Sequence, residues 1–206
     1  LAGDNVVEPS QHMPWYAGPP LLTLLETTPV AERETGLPLR FPVQLVMRPD
    51  LDFRGFAGTI ASGSLRRGDE VLVLPSRAST RVTRIVSIDG ALDHASAPMA
   101  VTLTLADEVD ISRGNMIVAP DHPPRQDLEV EAMVVWMDER PFVPGRSYLL
   151  KHTTHVVPAE LVKLHHSVEV NTLAQAPATA LAMNEVGRVT LALHRPLAYD
   201  AYADNR

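Results

Sequence analysis

Gly55-Phe56-Ala57-Gly58-Thr59-Ile60-Ala61-Ser62-Gly63-Ser64-Leu65-Arg66-Arg67-Gly68-Asp69-Glu70-Val71-Leu72-Val73-Leu74-Pro75 reads as a strand, two glycine turns and a second strand. Gly63 and Gly68 stand where a positive φ costs least. Further along, Asp107-Glu108-Val109-Asp110-Ile111-Ser112-Arg113-Gly114-Asn115-Met116-Ile117 closes one strand and opens another.

The same grammar extends outward. Val43, Leu45 and Met47 alternate as a half-buried strand requires, as do Val71 with Val73, Val82 with Val86 and Ile88, and Val101 with Leu103 and Leu105. Arg48-Pro49-Asp50, Gly63-Ser64, Gly68-Asp69, Asp89-Gly90 and Arg113-Gly114-Asn115 punctuate these runs. Short strands spaced by such turns predict a barrel or sandwich over 41–121. Asp121-His122-Pro123-Pro124 breaks the pattern. A second β-rich run then occupies 122–206, with Val130, Ala132, Val134 and Trp136 alternating, a turn at Pro144-Gly145, and strands within 148–157, 161–170 and 189–194. Residues 1–40 form a lead-in. Leu21, Leu22, Leu24 and Leu25 suit a helix of about two turns, which needs a packing partner to persist, and 30–39 reads as a linker. The expected fold is all-β: two consecutive antiparallel β-domains, barrels or sandwiches, after a short helical lead-in.

With 206 residues, 45% apolar and 21% charged, the composition is that of an ordinary globular chain. No apolar run reaches the length of a membrane helix. The first residues lack the basic and apolar regions of a signal peptide, and without an initiator Met the chain is expected to be cut from something longer. Without cysteine there is no disulfide framework and no thiolate chemistry, which fits the cytoplasm. A net charge of −7 argues against broad nucleic-acid binding. The charge is uneven: residues 40–84 hold eight arginines against four acids, whereas the whole chain has two lysines, Lys151 and Lys163. An arginine-rich surface can face a phosphate or an acidic partner.

Several chemistries are excluded. Leu150 and Val162 precede the only lysines, so no Gly-Lys-[Ser/Thr] cradle for phosphates exists. No Gly-x-Gly, Gly-x-Ser-x-Gly or His-Glu-x-x-His occurs. His152 and His155 are three apart, so on one strand they face opposite ways and converge only around a turn. His165 and His166 have the same problem. Asp107, Glu108 and Asp110 could form an acidic cation site, but no neighbouring ligands complete it, and a solvated loop is expected. Trp15, Tyr16 and Trp136 could stack on bases; packing is the simpler expectation at 5% aromatics. No catalytic, nucleotide-binding or metal-binding residue is assigned.

The Gly-Thr-Ile, Gly-Asp-x-Val and Arg-Gly-x-x-Ile elements resemble the second domain of translation-factor-type GTPases. Three further groups resemble the large, GTPase subunit of bacterial sulfate adenylyltransferase. The first is Phe41-Pro42-Val43-Gln44 with Arg48-Pro49 and Leu51-Asp52-Phe53-Arg54-Gly55. The second is Gly3-Asp4-Asn5-Val6-Val7 with Met13-Pro14-Trp15-Tyr16 and Gly18-Pro19. The third is Val135-Trp136-Met137, Pro144-Gly145-Arg146, Tyr148, Val170-Asn171-Thr172-Leu173 and Asn184-Glu185-Val186-Gly187-Arg188-Val189. The resemblance covers nearly the whole chain.

In that family a GTPase domain precedes two barrels, and a separate small subunit carries the adenylyl-transfer site. Some members carry a fused adenylylsulfate kinase. The resemblance implies that 1–40 is the tail of the GTPase domain and a linker, and that GTP and Mg²⁺ belong to that domain, with no cofactor in this chain. It implies that 41–121 and 122–206 are the second and third domains, the latter lacking its apolar closing strand and so leaving an edge open to pairing. The partners implied are the small subunit and the chain's own GTPase domain, not nucleic acid or membrane. Arg54, Arg66, Arg67 and Arg113 are the candidate interface residues. The competing readings are an RNA-binding barrel pair from a translation GTPase and a free-standing barrel module.

Overall fold

The computed structural model describes residues 3–28, 36–48 and 53–204. The chain divides into two compact units, 1–33 and 34–206. In the first, α1 (Leu21–Thr27) follows Pro20, and none of its residues is buried. Its first N–H groups, those of Leu21 and Leu22, donate to the carbonyls of Asn5 and Val6 at 2.9 Å. These bonds satisfy donors that every helix start leaves without an intrahelical partner. Leu21, Leu22, Leu24 and Leu25 stand exposed. Residues 30–35 of the expected 30–39 linker, and the Pro49-Asp50 turn, lie outside the described residues.

The second unit is β-structure throughout and antiparallel in every pairing. Its first half contains β1 (Arg40–Met47), β2 (Gly55–Thr59), β3 (Ser64–Arg66), β4 (Glu70–Leu74) and β5 (Ala78–Ser87). These are followed by β6 (Gly90–Leu92), β7 (His94–Ser96), β8 (Ala100–Leu105) and β9 (Met116–Val118). Pairing runs β4-β9-β1-β2-β8-β5 and returns from β5 to β4, so six strands form a cycle. β6 extends β5, while β3 and β7 make a separate ribbon. The interior is filled by Phe41, Val43, Phe56, Ile60, Val71, Val73, Ile85, Leu103 and Ile117, all buried. Leu39 also lies in this core, so the barrel begins two residues before Phe41.

Two strands depart from simple alternation. A bulge between Val43 and Leu45 moves the inward positions from 43 to 46, leaving Leu45 exposed. A bulge between Val82 and Arg84 does the same for β5: Val82 and Ile85 are buried and Ile88 is fully exposed. An extra residue reverses the facing of everything after it, so the expected inward Leu45 and Ile88 point to solvent.

The second half holds β10 (Arg125–Val135), β11 (Ser147–His152), β12 (His155–Val168), β13 (Gln175–Ala176) and β14 (Val186–Tyr199). The sheet order is β10-β14-β12-β11, with β13 on β12. β14 runs fourteen residues where alternation indicated only 189–194. The run read as one strand from 148 to 157 is a hairpin turning at Thr153-Thr154. Val157, Ala159, Leu161, Leu181, Val189 and Phe142 form the core. Trp136, Phe142 and Tyr148 pack together, with ring centroids 4.5–5.5 Å apart. Among the described residues β10 and β11 each pair along one side only, and Met133, Val135 and Met137 are exposed along β10 and just beyond it.

Gly63 carries the turn into β3 at φ +76°, and a Cβ there would lie 2.6 Å from the Leu37 carbonyl oxygen. Both the left-handed backbone and the contact oppose a side chain. Gly63→Ala is expected to cost about 2–4 kcal/mol, read as a lower midpoint in guanidinium denaturation.

Candidate functional site

Two polar features stand out on this scaffold. The first joins the two sheets. Arg40 opens β1, and its backbone is held by Ser62 and Ala61 at 2.9 and 2.8 Å. Its guanidinium donates through Nε and Nη2 to both carboxylate oxygens of Asp200, at 2.8 and 2.7 Å, and through Nη1 to the Leu39 carbonyl. The side chains are 7% and 19% exposed, so this bidentate pair works largely out of water. Beside it Leu74, Met116 and Val118 of the first barrel pack with Ala198 of β14. Gly114 approaches the second hairpin so closely that a Cβ would sit 3.4 Å from the His155 Cα.

A crevice of about 160 Å³ at this joint is lined by Arg40, Pro42, Met116, His152, Tyr199 and Asp200, among others. The Nδ1 of His152 and the hydroxyl of Thr154 are buried without a hydrogen-bond partner among the described residues. Burial holds the His152 imidazole below its ordinary pKa, with Asp200 opposing and His155 reinforcing the shift.

The second feature is a cleft of about 720 Å³ at one end of the first barrel, where Arg48, Arg54 and Arg84 meet Phe53, Phe56, Asp107 and Glu108. Arg54 lies over the Phe56 ring, 5.3 Å from its centroid. Its terminal nitrogen is 3.9 Å from Asp110, whose carboxylate is fully exposed.

The structure separates the four candidate arginines. Only Arg54 lines the cleft. Arg66 ends β3, and Arg67 starts the next turn; both are exposed. Arg113, in the turn before β9, donates to the Gln44 carbonyl of β1 at 3.0 Å. Arg40, counted in the arginine-rich stretch, is buried at the joint rather than on a face. Arg48 and Arg84 belong to the cleft but had no signal beyond membership of that stretch. Nothing local could have paired Arg40 with a residue 160 positions away.

The histidine pair His152–His155 does converge, as cross-strand partners closing the β11–β12 hairpin. His165 Nε2 lies 2.8 Å from the Thr190 hydroxyl and 3.8 Å from Glu131. Asp107 accepts the Thr80 hydroxyl at 2.8 Å. Among the described residues no three acidic or histidine side chains are grouped to hold a metal. Trp136 is committed to packing, and its Nε1 donates to the Arg140 carbonyl, whereas Trp15 is exposed.

The barrel pair superimposes on solved structures, among them translation elongation factor SelB from Methanococcus maripaludis, with a TM-score of 0.67 at 20% identity over 87% of this chain and 40% of that one. The crystal structure of Sup35 complexed with GDP superimposes with a TM-score of 0.79 at 22% identity, over 98% of this chain and 50% of that one. A family model described as GTP-eEF1A C-terminal domain-like matches residues 129–206. The fold is therefore that of the paired antiparallel β-domains seen in these structures.

In sequence the chain is similar to sulfate adenylyltransferase subunit 1 and to CysN/CysC proteins. It is 52% identical over all of its length to the bifunctional enzyme CysN/CysC of Rhodopirellula baltica, covering 32% of that protein. It is 46% identical to sulfate adenylyltransferase subunit 1 of Bacteroides fragilis, covering 43% of it. The chain thus spans less than half the length of these curated relatives.

Two outcomes are expected. Arg40→Met or Asp200→Leu alone, leaving the other charge buried, lowers stability by about 2–4 kcal/mol, while the double substitution recovers most of the loss; denaturation midpoints measure both. Above the ordinary histidine pKa of about 6.5, His152 is neutral folded and unfolded. Below it the unfolded chain takes up a proton that the folded chain resists, so stability falls as pH drops towards 5. His152→Gln should flatten part of that fall in midpoints measured across the same pH series.

Proposed function

We propose that this chain forms the regulatory and docking barrels of a GTP-dependent sulfate adenylyltransferase, which makes adenosine 5′-phosphosulfate and pyrophosphate from ATP and sulfate. The observation that carries the reading is identity of 52% and 46%, across all of this chain, to the segments of proteins bearing those names. In this reading 1–40 is the tail of a GTPase domain and its linker, 41–121 the second domain and 122–206 the third. GTP and Mg²⁺ are held by the GTPase domain, the adenylyl-transfer site lies on a small subunit, and the setting is cytoplasmic. The chain itself contributes no active site. The exposed leucines of α1 pack on the GTPase domain. The one-sided edges of β10 and β11 take a further strand, covering Met133 and Val135.

The barrels then act mechanically: nucleotide state in one domain alters contacts made by the others, which requires contacts that differ between the states. Arg66 and Arg67 are well suited to such contacts because they are exposed at the end of β3 and in the turn that follows it. An RNA-binding role is less well supported by a chain of net charge −7.

The test is assembly with the small subunit. In the full-length protein, Arg66→Glu with Arg67→Glu is expected to weaken the complex about tenfold or more and to uncouple GTP hydrolysis from product formation. Unchanged assembly and unchanged coupling would remove these arginines from the interface. Failure of the unsubstituted protein to bind any small subunit would overturn the reading itself.

A further inference from the structure

We propose that the cleft at the end of the first barrel binds an acidic peptide segment of a protein partner, taking its carboxylate on Arg54 and Arg84. The proposal rests on the docking reading of the barrels and adds a specific site and ligand chemistry to it.

Arg48 follows β1, Phe53 and Arg54 precede β2, Thr83 and Arg84 lie on β5, and Thr104 to Glu108 leave β8; together they line about 720 Å³. The space is of the size that small ligands and peptide side chains fill. Arg54 is the fixed element. Its guanidinium rests on the ring of Phe56, which is itself buried in the core. Its Nε is buried and has no hydrogen-bond acceptor among the described residues. The one described carboxylate near it, Asp110, is 3.9 Å away and fully in water, too far for a hydrogen bond. A planar fork of donors is therefore held against the ring with its Nε unpaired among the described residues. Arg48 and Arg84 are exposed on the same cleft, and no ion pair is formed by either among the described residues. Carboxylate suits such a fork because it accepts two parallel N–H bonds.

The rest of the lining selects the kind of anion. Asp107, already holding the Thr80 hydroxyl, and Glu108, exposed, place negative charge in the same cleft. The Thr83 and Thr104 hydroxyls satisfy each other at 2.7 Å, leaving a neutral wall. A polyphosphate would meet repulsion from the two acids. A peptide offers a carboxylate to the arginines and backbone N–H groups to the acids, while Phe53 supplies apolar contact. Carrying both signs of charge discriminates among anions as well as attracting them.

The experiment titrates the full-length protein at low salt with an N-acetylated, C-amidated tetraglutamate peptide, with inorganic phosphate in parallel, by calorimetry. Saturable peptide binding that exceeds phosphate binding is expected. Arg54→Gln and Arg84→Gln should each weaken it about tenfold, while Arg77→Gln, exposed and away from the cleft, should leave it unchanged. Glu108→Gln should narrow the preference for peptide over phosphate. Arg84 is exposed, so its variant reports on binding even if Arg54→Gln perturbs folding. Absence of saturable peptide binding, phosphate binding as tight as peptide, or indifference to both arginine substitutions would overturn the proposal. Assembly with the small subunit, measured separately, distinguishes loss of this cleft from failure of the docking reading: intact assembly without peptide binding rejects the cleft alone, and peptide binding without assembly upholds the cleft alone.

Discussion

Arg40 is nearly out of water, and its guanidinium can be there only because Asp200 meets it with two oxygens and Leu39 with a third. An arginine cannot shed its proton to escape a dry site, so its burial demands a counter-charge of fixed position. That demand ties the first strand of one sheet to the end of the last strand of the other. Around it the apolar contact of Leu74, Met116 and Val118 with Ala198 excludes water, which in turn strengthens the pair. The ion pair supplies geometric definition, and the apolar strip supplies area. Neither alone would fix the angle at which two β-structures of this size meet.

β1 connects this joint to the rest of the molecule. Arg40 begins it and Arg48 follows its other end, roughly 25 Å away at the rise of an extended strand. Because the strands of the first barrel pair in a cycle, that barrel has little freedom to shear between its ends. The second sheet contrasts with it: β10 and β11 pair along one side, and apolar residues lie exposed near the β10 edge.

The two β-bulges decide which residues reach the cleft and the core. The bulge in β1 turns Leu45 outward and brings Val46 against the core. The bulge in β5 puts Ile85 inside and leaves Arg84 exposed on the cleft. A strictly alternating β5 starting from Val82 would have turned Arg84 inward.

The sequence by itself determined the class of fold, because strand alternation and glycine turns are local properties: residues two apart share a face, and Gly63, Gly68, Gly90, Gly114 and Gly145 all adopt positive φ where turns were read. It also carried the family resemblance, since the motifs are contiguous words. The joint, the cleft and the bulges were settled only in three dimensions. Arg40 and Asp200 are 160 residues apart, and charge counting assigned Arg40 to an exposed face. The four arginines singled out in sequence were scattered, while Arg48, Arg54 and Arg84 came together from three strands or their ends. The hairpin at Thr153-Thr154, hidden within an apolar run, made cross-strand neighbours of His152 and His155. Local patterns report which face a residue shares with its near neighbours; barrel closure and sheet packing, which are long-range, decide what lies opposite that face.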